Sequence, residues 1–287
     1  MWLVYALASA VLTGSIAVTV KYGQKNIPRE NSLIFRCGTT LVLCAALIVA
    51  GYEKRDGAGG DLPSCVLFAL FSGVLTLSSL MLYYKTLQGS SVALAAALEK
   101  LSVPLTFLAG ALIFGADAGS LTPLSALIIC IGVFVCACDG KKERIRAGEH
   151  PVVTGVLSAV FACGALMCTK YSLTGIGSVS ALALRSAVCL MLSLILASKR
   201  GVLVKVREMS VKSIALALGT GLASALAYLC SFYALSVCDA GRVHSVEKLS
   251  ALFAIAFARL FFGERAHKTV IIGNAVIALG IIFPLFF

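Results

Sequence analysis

The sequence predicts an all-α membrane protein: ten transmembrane helices arranged as two inverted-topology five-helix repeats. Three observations carry that expectation. The 287 residues are 60% hydrophobic and only 13% charged, with mean hydropathy +0.99, whereas a soluble domain carries about 25% charged residues. Ten apolar runs stand out, and the string Glu-Lys-Leu-Ser occurs twice inside them, at Glu99–Ser102 and Glu247–Ser250.

The runs are 2–20, 32–51, 64–84, 91–114, 121–138, 152–169, 178–197, 212–236, 240–262 and 269–286. Each approaches the ~20 residues that an α-helix needs to cross a bilayer. They lack the strict alternation of membrane-barrel strands. The longest loop, 198–211, leaves no room for a soluble domain. With neither a basic n-region nor a cleavage site, the N-terminal segment reads as the first span rather than a removable signal.

A gapless shift of 148 residues lays 71–135 on 219–283. It superimposes the two Glu-Lys-Leu-Ser strings, Phe114-Gly115 on Phe262-Gly263, Gly73 on Gly221 and Gly132 on Gly280. A shift of 149 lays Lys21-Tyr22 on Lys170-Tyr171 and Arg36 on Arg185. The units are 1–139 and 151–287, joined by a linker at 140–150 expected in the cytoplasm. Five is an odd number of spans, so the second unit is expected to sit upside down. Equivalent loops agree: 53–61 is mildly acidic, 198–208 strongly basic, and Gly115-Ala116-Asp117 lacks the basic residues of Gly263–Lys268.

The formal charge of +11 sorts by loop rather than forming a nucleic-acid patch. One set of alternate loops holds Lys21, Lys25, Arg29, Lys85, Lys141, Lys142, Arg144, Arg146, Lys199, Arg200, Lys205, Arg207, Lys212, Arg265 and Lys268, fifteen in all. The other set holds Lys54, Arg55, Lys170 and Arg242. Basic loops stay cytoplasmic, which places both termini outside the cell membrane. The eleven cysteines show no paired metal spacing, and Cys136-x-Cys138 is too short a signal for a site. No cofactor or metal is expected. The spans hold no nucleophile-base-orienter set, so an enzyme is not expected either.

This arrangement resembles the drug/metabolite transporter superfamily, specifically its EamA-like members. Phe261-Phe262-Gly263-Glu264-Arg265 and the apolar Gly273–Gly280 segment look like that family's closing motif, and Lys21-Tyr22 is similar to a Lys-aromatic pair in small multidrug resistance proteins. The resemblance implies a central cavity lined by spans one to four and six to nine, with five and ten peripheral. Two features depart from it. The span-one glutamate that couples protons in the small multidrug resistance proteins is replaced by Thr13 and Ala162. Family members also commonly keep their termini in the cytoplasm.

Glu99 and Glu247 are the acidic residues well inside spans. Glu99 lies eight residues past Ser91, ~12 Å along a helix and near the middle of a ~30 Å core. Helical spacing predicts polar stripes of Ser91, Ala95, Glu99, Ser102 and Thr106 on span four, and Val243, Glu247, Ser250, Ala254 and Ala258 on span nine. Packing through small residues explains the Ala and Ser but not a carboxylate. Intramembrane ionisable groups usually mark transport pathways, which makes Glu99, Lys100, Ser102, Glu247, Lys248, Ser250, Arg36 and Arg185 the candidates for substrate binding or coupling. Arg36 and Arg185 are expected either to pair with the two acids or to snorkel. Tyr84, Tyr233, His244 and Thr13 are weaker cavity candidates, and Pro104 is expected to loosen span four.

The expected function is secondary transport of a small polar metabolite by alternating access, an amino-acid-like zwitterion or amine being preferred because it employs all the charges. Protons are a candidate coupling ion. The alternatives are an organic-anion or sugar-phosphate exchanger, a passive facilitator on the same fold and, further off, a structural subunit. Expected partners are the small-molecule substrate and the bilayer; no pattern points to an oligomeric state.

Overall fold

In the computed structural model the described residues are 1–23, 27–53, 60–90, 92–115, 122–140, 151–203, 210–263 and 268–286, and they form helices without strands. The linker from Lys141 to His150, Ser91, Asp117, Glu264–His267 and the loop cations Lys25, Lys54, Arg55, Lys205 and Arg207 lie outside them.

The first half contains α1 (Trp2–Val18), which runs into a π-helical turn at Thr19–Gly23, then α2 (Arg29–Val49), α3 (Leu62–Gly89), α4 (Val92–Glu99), α5 (Ser102–Phe114) and α6 (Thr122–Gly140). The second half contains α7 (Pro151–Ser172), α8 (Ser178–Lys199), α9 (Val211–Val237), α10 (Ala240–Glu247), α11 (Ser250–Phe262) and α12 (Lys268–Phe286). Seven stretches are long and apolar enough to cross a membrane, and Leu124–Cys136 and Ile271–Ile282 are shorter apolar helices. Apolar side chains such as Val42, Leu67, Phe134 and Leu260 are exposed on the outer surface, as helices that face lipid require.

Equivalent helices end alike. Gly51 and Gly201 follow α2 and α8 with φ of +73° and +64°, and Gly115 and Gly263 follow α5 and α11 with φ of +59° and +63°. Left-handed glycines of this kind terminate helices at no steric cost. The duplicated Lys-Tyr pairs also have a structural task. Lys21 donates to Ser90 O at 3.0 Å, and Lys170 donates to Leu235 O at 2.7 Å and Cys238 O at 2.9 Å. Each ammonium therefore caps carbonyls at the C-terminal end of α3 or α9, where the helix dipole favours positive charge.

Packing repeats the same correspondence. α3 lies against α7 and α8, while its counterpart α9 lies against α1 and α2. α1 packs on α11 as α7 does on α5, and α4 meets α11 as α10 meets α5. α2 packs on its own counterpart α8, and α6 on α12. Both of these pairs run antiparallel. Arg200 at the end of α8 bonds Glu30 at the start of α2, whereas Glu53 beyond α2 accepts from Ser180 at the start of α8. Ser125 reaches Gly280 O, and Asn274 reaches Cys136. The two halves interleave, so the cavity walls come from both.

The expected polar stripes are interrupted among the described residues, which exclude Ser91, because both helices break at the duplicated motif. Between α4 and α5, Lys100 N bonds Ala97 O at 3.0 Å and Leu101 N bonds Leu98 O at 3.2 Å. Between α10 and α11, Leu249 N bonds Val246 O at 3.0 Å and Leu252 N bonds Leu249 O at 2.9 Å. These i→i−3 bonds are 3₁₀-type tightening. Pro104 is not the shared cause, since Leu252 occupies the equivalent position in a helix that breaks anyway. What the two breaks share is the Glu-Lys pair.

Gly73 and Gly221 set how closely the arginine-bearing helices approach. A Cβ at Gly73 would lie 2.8 Å from Arg185 O and 2.8 Å from Val188 Cβ, and one at Gly221 would lie 3.0 Å from Phe35 O. Gly73→Val and Gly221→Val are each expected to cost about 1–3 kcal/mol through overpacking. Gly219→Ala, with nothing near its Cβ position, should leave stability unchanged or slightly raised. Thermal unfolding of the purified protein checks all three.

A charged cavity between the repeats

Inside the interleaved helices lies a cavity of about 160 Å³, taken as the space open to the centre of a water-sized sphere. Its lining comes from α1, α2, α3, α4, α7, α8, α9, α10 and α11 and includes no residue of α6 or α12. Ser79 of α3 and Ser158 of α7 fix one wall by reciprocal bonds, each hydroxyl donating to the other's carbonyl at 2.9 Å. Such serines hold helices together where no apolar driving force does.

The two helix breaks bring the duplicated charges together. Lys248 Nζ donates to Glu99 Oε1 at 2.5 Å, an ion pair formed between the halves. Glu99, Glu247, Lys248 and Ser250 line the cavity. Glu247 Oε2 lies 3.9 Å from His244 Nδ1, while its Oε1 is buried without a hydrogen-bond partner. His244 also lines the cavity, and its Nε2 shares a 2.9 Å hydrogen bond with Ser102 Oγ.

Lys100 and Ser102 are not cavity residues. Lys100 is 1% exposed and its ammonium reaches only as far as Ser250 Oγ, at 3.5 Å. Ser102 is wholly buried, donating to Glu99 O at 2.7 Å. Both are held in the packing between α4–α5 and α10–α11, Lys100 against Ser250 and Ser102 against His244.

Neither arginine follows the expected alternatives of pairing with the acids or snorkelling. Arg36 Nη2 donates to Tyr228 Oη at 2.8 Å and Nη1 to Tyr84 Oη at 3.4 Å. Its guanidinium lies 5.1 Å from the Tyr228 ring centroid, and that of Arg185 lies 4.6 Å from the same ring and 5.3 Å from Phe232. Two cations thus share one aromatic ring, each gaining cation–π attraction. Both line the cavity together with Tyr84, Tyr228 and Thr13. Tyr233 does not. Its hydroxyl donates to Tyr52 O at 3.5 Å and its ring meets Tyr5, so it closes the adjoining helix end.

Tyr228 is a cavity residue that the sequence did not single out. Its counterpart is Leu80, so the duplication that exposed the charged motif gave no signal for it. A search for aromatic residues one helical turn from the Phe232 position would have found it.

Comparison with known proteins agrees with this architecture. The model of the EamA-like transporter family matches residues 1–138 and again 151–286. A Sinorhizobium sp protein described as an uncharacterized transporter in the cobO 3' region is 30% identical over 137 residues, 47% of this chain and 96% of that protein. That relative is therefore about half as long as this chain. A solved crystal structure with 14% identity superposes with a TM-score of 0.64, covering 98% of this chain and 96% of its own; at that identity the likeness speaks for the fold. Two family matches in tandem, apolar helices throughout and a polar lumen between the copies have one meaning: the chain belongs to the EamA-like transporter family, as a multi-pass membrane transporter.

Proposed function

We propose that this transporter moves a small amino-acid-like zwitterion across the cell membrane by alternating access between two inverted five-helix units. The observation that carries the reading is the charge inventory of the cavity. Glu99 and Lys248 neutralise each other. Arg36 and Arg185 contact aromatic groups and no carboxylate among the described residues, and Glu247 contacts no lysine or arginine. Two guanidiniums on one ring form a seat for a carboxylate, which guanidinium groups bind with two parallel hydrogen bonds. Glu247, with its unpartnered oxygen, is the complementary seat for an ammonium. A bare amine would meet both arginines uncompensated.

Alternating access draws support from the antiparallel packing of α2 on α8 and of α6 on α12. Equivalent helices of inverted repeats run in opposite directions, and carriers built that way bind cargo between the repeats near the midplane, where helices are discontinuous. Ten crossings, with the more basic loops in the cytoplasm, put both termini outside the cell. Protons, if coupled, act at Glu247 or Glu99, since Thr13 and Ala162 stand where a span-one carboxylate would be.

A second reading, exchange of an organic anion or sugar phosphate, is favoured by one observation: two guanidiniums converge on Tyr228 against a single unpaired carboxylate. Uptake by purified protein in liposomes, screened with neutral amino acids, amines and organic anions with and without a proton gradient, separates the readings. The zwitterion reading predicts saturable amino-acid uptake stimulated by substrate on the far side. Arg185→Gln and Glu247→Gln should each raise KM about tenfold or more, the scale of one lost charge-assisted hydrogen bond. Anion uptake sensitive to Arg185→Gln but not Glu247→Gln selects the second reading. Flux that neither saturates nor shows counterflow makes the protein a passive facilitator.

Tyr228→Phe removes the hydroxyl that accepts from Arg36 but keeps the ring. It should cost about 1–2 kcal/mol of stability, and Tyr228→Leu should cost more, because both guanidiniums then lose the Tyr228 ring and Arg185 keeps only Phe232. Unfolding midpoints of the two variants check this order.

A further inference from the structure

The repeat maps Glu99 onto Glu247 and Lys100 onto Lys248, so the bond from Lys248 to Glu99 has a symmetry mate, Lys100 to Glu247. That mate is unmade. Lys100 is buried with a hydroxyl at 3.5 Å as its hydrogen-bond partner, and Glu247 has a buried oxygen with none. Each is the group the other lacks. They are also close in the fold: Ser250, which Lys100 touches, lies three residues, or one helical turn, beyond Glu247 across the second break. Two copies of one local sequence therefore hold two different local states.

We propose that the two ion pairs exchange as the cavity changes side: in the opposite conformation Lys100 binds Glu247 and Lys248 releases Glu99. The made pair and the free carboxylate trade places between the repeats, and Lys100 is the positioning residue of the conformation not seen here. His244 helps hold the present one. It occupies the hydroxyl of Ser102, the counterpart of the Ser250 hydroxyl on which the unpaired lysine rests, and its own counterpart is Ala96. Released from Glu99, Lys248 would find that seat taken. The exchange rests on the transport reading for its purpose, as the free carboxylate is the cargo's ammonium seat there, but it does not rest on the identity of the cargo.

Hydrogen exchange on the purified full-length protein in lipid nanodiscs tests it. The readout is amide protection at the two ends of the α2–α8 pair, around Glu30–Arg200 and around Glu53–Ser180. Lys100→Met and Glu247→Gln remove only the pair of the opposite conformation, whereas Lys248→Met and Glu99→Gln remove only the pair made here. The first two variants should shift protection one way at each end and the last two the other way, by about fivefold or more in exchange rate. Having a lysine and a carboxylate variant for each pair keeps the test open should one of them fail to fold. Loss of mere packing would loosen both ends alike in all four. Same-sense shifts throughout, or Lys100→Met behaving unlike Glu247→Gln, would overturn the exchange. Opposite shifts without any liposome uptake would instead remove the transport reading and leave the exchange standing.

Discussion

The ion pair between Lys248 and Glu99 is the constraint around which this fold is organised. An ionised side chain at membrane depth costs ~2.5–3.5 kcal/mol even on lenient scales, and a buried pair offsets its desolvation only with good geometry. The geometry here comes from two helix breaks at the same motif, which leave Glu99 as the last residue of α4 and Lys248 in the turn between α10 and α11. Because the partners belong to different halves, the bond also ties the halves together. Glu99 and Lys248 line the same cavity as Arg36, Arg185 and Glu247.

Duplicated devices build the frame, and residues without a counterpart break its symmetry. Gly73 and Gly221, Lys21 and Lys170, and the four left-handed glycines do equivalent work on both sides. His244 and Tyr228 have no equivalents, their counterparts being Ala96 and Leu80. Tyr228 gathers Arg36 and Arg185, themselves counterparts, onto one ring. In the proposed alternating-access cycle the two states must be nearly equal, and such local differences would set which one is favoured.

The helices, the repeat and the duplication of the Glu-Lys string were legible in the sequence, because apolar length and a 148-residue duplication are one-dimensional signals. The helix breaks were not. Hydropathy reads Leu94–Phe114 as one continuous apolar stretch, and the interruption coincides with side chains that reach across to the other half. Nor does helical spacing show that Lys100 and Ser102 meet Ser250 and His244 of the other half rather than the lumen. Arg36 was expected either to pair with a carboxylate or to snorkel, because those are the simplest ways to accommodate a charge at membrane depth. Aromatic faces and phenolic hydroxyls satisfied it instead, and a partner 192 residues away in the chain leaves no local trace.

Double-mutant cycles on unfolding stability test the account at its centre, using Glu99→Gln with Lys248→Met and, in parallel, Glu247→Gln with Lys100→Met. The account predicts a coupling energy of about 1.5 kcal/mol or more for the first pair and a small fraction of that for the second. Equal couplings, or none between Glu99 and Lys248, would contradict it.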